Sequence, residues 1–454
     1  MRSALLLLCL LLAVADVRGQ TSLHDAGQEL PGLLAGQTAW GDYDQDGDPD
    51  LLLIGETLGV SGPTRIARLY ENRNGTLIED PSEDSELAGV YRGDVQWGDY
   101  NSDGFPDLVI AGWGANDLQS LVLYSNTESG LQRSMRVDPA QGGLQGVRYA
   151  ALAWADSDGD GDLDLMVSGM NSAGNSQTTF YRNADGVLAI DDSISDIVLG
   201  VHNGDLAWAD YDNDGDPDLT ISGDNVSYAG GGIVPETRFY RNQPLGMLEL
   251  DRTVSDPIEE TQAGVRRGGL AWGDYDGDGR ADLLITGVDA DGQRQSILYS
   301  SRVSAANRAP EAPASLNEVT ATSQRVLFSW SAGSDVESAN LSYNVRIGTE
   351  PGEQDILSAE VPLGPGNAGL KSDYVLGSFL PPDTYFWSVQ TVDGGLARSE
   401  FTAEGRFTVE QFVSSDQRLR SLSNSSMAWS DFDGDGDDDL ALMGTNRSGE
   451  ARTL

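Results

Sequence analysis

The stretch Trp40-Gly-Asp-Tyr-Asp-Gln-Asp-Gly-Asp-Pro-Asp-Leu51 decides the fold. Counted from Asp42, carboxylates fall at positions 1, 3, 5 and 9 (Asp42, Asp44, Asp46 and Asp50), and a glycine at position 6 (Gly47). Four carboxylates wound into one turn repel one another unless a hard cation sits among them. Ca²⁺ suits that place, because it takes about 6 to 8 oxygen ligands at roughly 2.3 to 2.6 Å, and a glycine permits the bend that wraps the chain round it. The last acid stands at position 9, not 12, and Leu51-Leu-Leu-Ile54 follows, an apolar run suited to a strand and not to an exiting helix. The stretch therefore predicts a calcium loop set in a β-hairpin; the competing reading is an Asp/Gly-rich surface turn without metal.

The pattern returns at Trp97, Trp154, Trp208, Trp272 and Trp429, the first four intervals being 57, 57, 54 and 64 residues. The later candidate ligand sets are Asp99, Asn101, Asp103 and Asp107; Asp156, Asp158, Asp160 and Asp164; Asp210, Asp212, Asp214 and Asp218; Asp274, Asp276, Asp278 and Asp282; and Asp431, Asp433, Asp435 and Asp439. Asn101 still offers an oxygen at position 3, and Phe105 at position 7 need offer only its carbonyl. A fixed period of this size indicates a repeat architecture. Each unit reads as four short strands: one ending at the tryptophan, one after the loop (Asp218-Leu-Thr-Ile-Ser222), one ending in a Tyr-x-Asn signature (Leu69-Tyr-Glu-Asn72, Phe180-Tyr-Arg-Asn183, Phe239-Tyr-Arg-Asn242), and one after a turn such as Asn74-Gly75. Four antiparallel strands per repeat make the blade of a β-propeller.

These units resemble FG-GAP or VCBS repeats, the calcium-loop blades also found in integrin α-subunit propellers, over roughly residues 21–303 and 415–454. The resemblance implies up to six structural Ca²⁺ ions. Between Ala309 and about Glu410 the acidic loops cease, and Val326-Leu-Phe-Ser-Trp330, Tyr343-Asn-Val-Arg-Ile-Gly348 and Tyr385-Phe-Trp-Ser-Val-Gln-Thr-Val392 alternate between turn signals. That segment predicts a β-sandwich and resembles fibronectin type III-like modules, with Trp330 and Trp387 read as core. The expected class is all-β, a calcium-loop propeller with six visible repeat starts plus the sandwich. The expected layout is a signal peptide over 1–19, blades 1 to 5 over 20–304, the sandwich over 305–412, and a further, truncated repeat over 413–454. Residues 21–32 are the candidate for an N-terminal strand that closes a ring, and the sixth repeat is expected to stop where its third strand should begin.

Composition narrows the partners. With 28 Lys plus Arg against 72 Asp plus Glu, the net charge of -44 repels nucleic acid and anionic membranes. The 55 glycines and 39 % hydrophobic content favour turn-rich β structure over disorder. Arg2, the apolar run from Ala4 to Ala15 and the small residues beyond it read as a secretory signal cleaved after Ala15 or Gly19, and the one cysteine, Cys9, leaves with it. No later stretch approaches the ~18 apolar residues of a membrane span. A secreted or cell-surface protein without disulfides is expected to be stapled by metal instead.

If the first strand of each blade is innermost, the connections Gly89-Val-Tyr91-Arg92, Gly146-Val-Arg148-Tyr149, Gly200-Val-His202-Asn203 and Gly264-Val-Arg266-Arg267 ring the channel mouth, on the face opposite the acidic loops. Tyr91, Arg92, Arg148, Tyr149, His202, Arg266 and Arg267 are then candidates to hold an anionic or sugar ligand, or else they bond neighbouring blades. Arg92-Gly93-Asp94 is a cell-adhesion tripeptide that runs into a strand, which argues for coincidence. Only His24 and His202 are histidines, there is no G-x-S-x-G elbow, and no acid/base pair stands out, so no catalytic residue is expected. The expectation is a calcium-binding interaction or adhesion module with a protein or glycan ligand at the cell surface. The alternatives are a polysaccharide-processing enzyme or its carbohydrate-binding part, and a passive scaffold of a larger surface protein.

Overall fold

In the computed structural model the described residues are 26–409, apart from 60–61, 74, 82–86, 128, 135–142, 227–232, 244, 261–263, 304–306, 322–324, 339–340, 360–365 and 378–379, together with 423–430, 439–445 and 451–453. The signal-peptide reading and residues 21–25 lie outside them.

The strand after each acidic loop is apolar at nearly every position because a blade is covered on both faces. β1 (Leu34–Gly41), β2 (Asp50–Gly59), β3 (Gly62–Arg73) and β4 (Thr76–Glu79) pair in that order, all antiparallel. The second blade repeats this with β5 (Tyr91–Gly98), β6 (Asp107–Trp113), β7 (Gln119–Ser125) and β8 (Gln132–Arg133). The third has β9 (Arg148–Ala155), β10 (Asp164–Met170), β11 (Ser176–Ala184) and β12 (Val187–Ile190). The fourth has β13 (His202–Ala209), β14 (Asp218–Asn225), β15 (Val234–Gln243) and β16 (Met247–Leu250). The fifth shows β17 (Leu270–Gly273), β18 (Asp282–Val288) and β19 (Arg294–Tyr299). Short helices α1 (Asp192–Ser195) and α2 (Arg252–Glu260) occupy the connections out of blades three and four.

Side chains of one strand serve two seams. Leu108 and Ile110 pack toward Leu52, Ile54 and Leu69 of the first blade, whereas Val109 and Ala111 pack toward Leu165, Val167 and Tyr181 of the third. The residue after each tryptophan must be small. A Cβ on Gly41 would stand 2.7 Å from Trp97, and one on Gly98 would stand 3.0 Å from Trp154. The first strands of successive blades, β1, β5, β9, β13 and β17, neighbour one another in turn, so they are the innermost strands of a propeller.

The Tyr-x-Asn signature supplies a lock across the first three seams, and Ser301 stands in its place in the fifth blade. Asn126 Nδ2 donates to the Tyr43 carbonyl (2.6 Å), Asn183 to Tyr100 (2.7 Å) and Asn242 to Ser157 (2.7 Å). Each acceptor is position 2 of the acidic loop one blade earlier. Residues 26–33 form no strand, in contrast to the expected ring-closing strand. Instead Gln28 bonds the Gly75 carbonyl and the Leu77 amide, and Leu33 packs beside Leu51, Leu53 and Tyr70 of the first blade.

Beyond the fifth blade, β20 (Thr320–Ala321), β21 (Val326–Ser329) and β23 (Asp373–Leu376) form one sheet, and β22 (Ser342–Gly348), β24 (Thr384–Val392) and β25 (Gly405–Thr408) form another. They enclose one core of Phe328, Trp330, Tyr343, Tyr385, Trp387 and Phe407, so both tryptophans are core as expected. This sandwich and the five blades make one compact unit, because the sandwich rests on the acidic loops. Gly377 N bonds the Gln45 carbonyl (2.9 Å), Ser338 Oγ bonds that of Gly215 (3.1 Å), Asn307 N bonds that of Gly279 (2.7 Å), and Lys371 Nζ reaches that of Ser102.

A second unit, residues 410–454, pairs β26 (Ser423–Ser430), β27 (Asp439–Thr445) and β28 (Ala451–Thr453) as one antiparallel sheet. A third strand is therefore already under way at Ala451, where the sequence reading expected none.

Two outcomes follow from these seams. Asn183→Ala strands buried carbonyls of two blades and is expected to cost roughly 1–3 kcal/mol in denaturant unfolding. At Gly215 (φ +102°) an added Cβ would stand 1.8 Å from the Glu337 carbonyl. Gly215→Val is accordingly expected to displace the sandwich, read as new protease cleavage between residues 304 and 410.

Candidate functional site

Five of the six acidic loops lie within the described residues, and their hydrogen bonds repeat. The carboxylate at position 1 accepts the amide of the position 6 glycine: Asp42 from Gly47 (3.1 Å), Asp99 from Gly104 (2.9 Å), Asp156 from Gly161 (3.0 Å), Asp210 from Gly215 (2.9 Å) and Asp274 from Gly279 (2.8 Å). Position 5 accepts from position 7, as Asp46 does from Asp48 (2.9 Å) and Asp103 from Phe105 (3.0 Å). Position 9 starts the next strand fully buried and accepts two amides. Asp218 takes those of Tyr211 (3.1 Å) and Asn242 (2.7 Å), thus tying the loop to the strand behind it.

The turn needs left-handed backbone at two places. Position 6 is glycine in all five loops, with φ from +77° to +102°. Position 4 is left-handed too: Gly159 and Gly277 fill it without strain, whereas Gln45 (φ 59°), Ser102 (φ 58°) and Asn213 (φ 62°) bear it with side chains.

Carboxylate oxygens converge within 4.8 Å of one another in four groups: Asp42, Asp44 and Asp50; Asp156, Asp158 and Asp160; Asp210, Asp212 and Asp218; and Asp274, Asp276 and Asp282. In the second loop Asn101 replaces one acid, and Asp99, Asp103 and Asp107 keep the same bonding pattern. Asp431, Asp433 and Asp435 lie outside the described residues, and Asp439 opens β27. These clusters can hold metal ions. Asp42 Oδ1, Asp158 Oδ1 and Asp212 Oδ1 are buried with no hydrogen-bond partner, and a buried carboxylate oxygen in that position calls for a cation. Guanidinium groups cover part of the charge in three loops, with Arg182 on Asp158 (2.5 Å), Arg241 on Asp212 (2.6 Å) and Arg280 on Asp278. The first loop has Glu71 in the equivalent place, so its need for a cation is greatest.

Burial, followed by neighbouring carboxylates, raises the carboxyl pKa values of the first loop from 3.8 to about 8 at Asp42 and about 6 at Asp44. Burial likewise lifts Asp50 and Asp107 to about 8, Asp164 and Asp210 to about 7, and Asp218 to about 9. A folded-state pKa above the unfolded one means that the metal-free fold binds more protons than the unfolded chain. Its stability is thus lost as pH rises from about 4 toward 9. In chelator, the melting temperature is expected to fall between pH 5 and pH 8.

On the face away from these loops the structure gathers most of the predicted mouth residues. Tyr91 and Trp113 stack (5.4 Å between centroids), Trp113 meets Tyr149 (6.3 Å), and Tyr149 meets His202 edge-on (5.8 Å). Arg92 lies over Tyr91 and Tyr149, Arg148 over Trp113, and Arg65 over Tyr91 and Trp113. His202 is buried and bonds Ser176 Oγ (2.9 Å); burial lowers its pKa. Arg266 pairs with Asp224 (3.3 Å), and Arg267 is exposed, with its amide on the Asn203 carbonyl. Trp113, the last residue of β6, and Arg65 of β3 join the group only through folding, and neither carries a sequence signal for it. In Arg92-Gly93-Asp94 the Asp94 carboxylate accepts the Leu152 amide of the next blade (2.9 Å), so it is not displayed as a tripeptide.

Residues 42–110 and 99–167 match the FG-GAP-like repeat family, and each match begins at position 1 of an acidic loop. No curated protein matches the chain. Among solved structures the chain is similar to YjhT, with 12 % identity over 59 % of this chain and 80 % of that one and a TM-score of 0.36. It is also similar to a GH62 hydrolase in complex with xylotriose, with 8 % identity over 60 % and 90 % and a TM-score of 0.30. An exo-beta-1,3-galactanase from Phanerochaete chrysosporium with galactose gives 9 % identity over 82 % and 80 % and a TM-score of 0.26. Among the described residues no helix is long and apolar enough to cross a membrane. By sequence, then, the chain carries at least two FG-GAP-like repeats headed by its carboxylate loops.

Proposed function

We propose that this protein is a calcium-stabilised interaction or adhesion module of the secreted or cell-surface kind, binding without chemistry of its own. One observation carries the metal half of that reading: the same inward carboxylates, with orphaned buried oxygens at Asp42, Asp158 and Asp212, recur at blade spacing. Oxygen-only donors from one short loop suit Ca²⁺ better than a softer transition metal. Asp42, Asp44, Asp46 and Asp50 would hold one ion, and their counterparts in the other loops would hold up to five more. The ion would supply positive charge and cross-linking, while the chain's own amides orient the carboxylates. The sandwich, with its two three-stranded sheets, is read as a fibronectin type III-like module seated on that metal face. The variable loops opposite it, on a rigid scaffold, are then the place for a protein or glycan partner.

A ligand at 100 times its dissociation constant stabilises by about 2.7 kcal/mol per site. Adding millimolar Ca²⁺ to chelated protein is expected to raise the melting temperature strongly, and Asp42→Asn to remove part of that rise. Equal melting in Ca²⁺ and in chelator would overturn the proposal. Because the sandwich touches four of the loops, its protease resistance is expected to fall together with that of the blades when the metal is removed.

A further inference from the structure

In the first four blades the second residue of the innermost strand lies in the left-handed region without being glycine: Ala35 (φ 46°), Arg92 (φ 49°), Tyr149 (φ 53°) and Asn203 (φ 56°); in the fifth, Arg267 (φ 52°), just ahead of β17, does the same. The strand pairing shifts register at this point in the first four blades. In four blades the next residue is glycine, since a Cβ on Gly36, Gly93, Gly204 or Gly268 would stand 2.6, 2.0, 1.9 or 1.8 Å from the facing carbonyl. The backbone of this bulge is thus held constant while its side chain varies. Strained positions held by the surrounding structure concentrate at binding sites. Successive bulges also touch: Arg92 Nη1 donates to Tyr149 Oη (2.6 Å), and Arg267 N donates to the Asn203 carbonyl (2.7 Å).

The arginines there differ in their pairing. Acids outnumber bases 72 to 28, and Arg65, Arg68, Arg182, Arg238, Arg241 and Arg266 all have carboxylate partners. Among the described residues Arg92 and Arg148 have none. Arg148 donates only to Met170 Sδ (3.2 Å), a weak acceptor, and its Nε is buried without a partner, as is Trp113 Nε1. Both guanidinium groups lie over aromatic rings, which confines them while leaving donors for a planar anion.

We infer that Arg92 and Arg148, framed by Tyr91, Trp113 and Tyr149, form a binding site for a carboxylate-bearing sugar, a uronate residue of a glycan. The inference rests on the reading of this protein as an interaction module and names its ligand class. The guanidinium forks would take the carboxylate, and the aromatic row would flank the flat ring that bears it. The overall charge of -44 selects against densely charged polyanions, so the ligand carries no more than one carboxylate per sugar and is not a sulfated chain.

The test is calorimetric titration of the calcium-loaded full chain with trigalacturonate, its methyl ester and triglutamate peptide. Trigalacturonate is expected to bind about tenfold or more tightly than either control, and Arg92→Gln/Arg148→Gln to weaken it about tenfold or more. The melting temperature of that double variant is expected to stay unchanged. Binding of the ester as tight as that of the acid, stronger binding of the peptide, undiminished binding by the double variant, or no binding to trigalacturonate would each overturn the site. If melting still rises with Ca²⁺ in those cases, the calcium-module reading stands and only the uronate site falls; loss of the calcium response is failure of the earlier reading.

Discussion

The aspartate at position 9 is the point on which the blades depend. Asp50, Asp107, Asp164, Asp218 and Asp282 are all buried, and each bridges its own loop to the strand behind it through two backbone amides. Two amides are insufficient recompense for a buried negative charge with other carboxylates beside it, and the raised carboxyl pKa values of Asp50, Asp107, Asp164 and Asp218 express that deficit. Everything around the loop follows from meeting it: the left-handed turn that brings the other acids inward, the arginines on Asp158 and Asp212, and a donor set that favours a hard cation. The hairpin is thereby held closed at one end by charge and along its length by apolar seams.

Those seams explain how far the sequence could be read. Trp40-to-Leu51 and its copies are local patterns, so loop, strand and blade followed from spacing, and the continuous apolar run after the loop announced a strand covered on both faces. The Tyr-x-Asn signature was visible as a strand ending, but the asparagine's partner lies 83 to 85 residues away. No local periodicity can reveal that distance. Position 4 of the loop escaped notice because Gln45, Ser102 and Asn213 conceal a left-handed backbone that Gly159 and Gly277 would advertise. Trp113 and Arg65 are similarly hidden, since they join Tyr91 and Arg148 only when strands of different blades meet. The seating of the sandwich on the acidic loops depends on backbone carbonyls such as those of Gln45 and Gly215, which carry no side-chain signal.

The two ends of the propeller are therefore built on opposite electrostatic plans. At the loop end, negative charge is concentrated, buried and covered by the sandwich, with Gly47 and Gly215 close enough to its carbonyls that no larger residue would fit. At the other end, positive charge is laid on aromatic faces, and Arg92 and Arg148 stand there without carboxylate partners among the described residues. The acidic surplus of the chain is thus partly consumed by its architecture, and part of the small basic complement is placed away from it.

The asparagine lock has a consequence for how the molecule comes apart. Each of the first three acidic loops offers its position 2 carbonyl to the following blade, so the geometry of one loop sets the quality of the next seam. Loops of this kind do not open independently. They resemble beads on a string with nearest-neighbour coupling, in which an ordered unit templates the unit after it and a defect spreads in one direction along the chain. Opening of an early loop would be transmitted to its successor, giving the chain a polarity of unravelling that its near-identical repeats do not suggest.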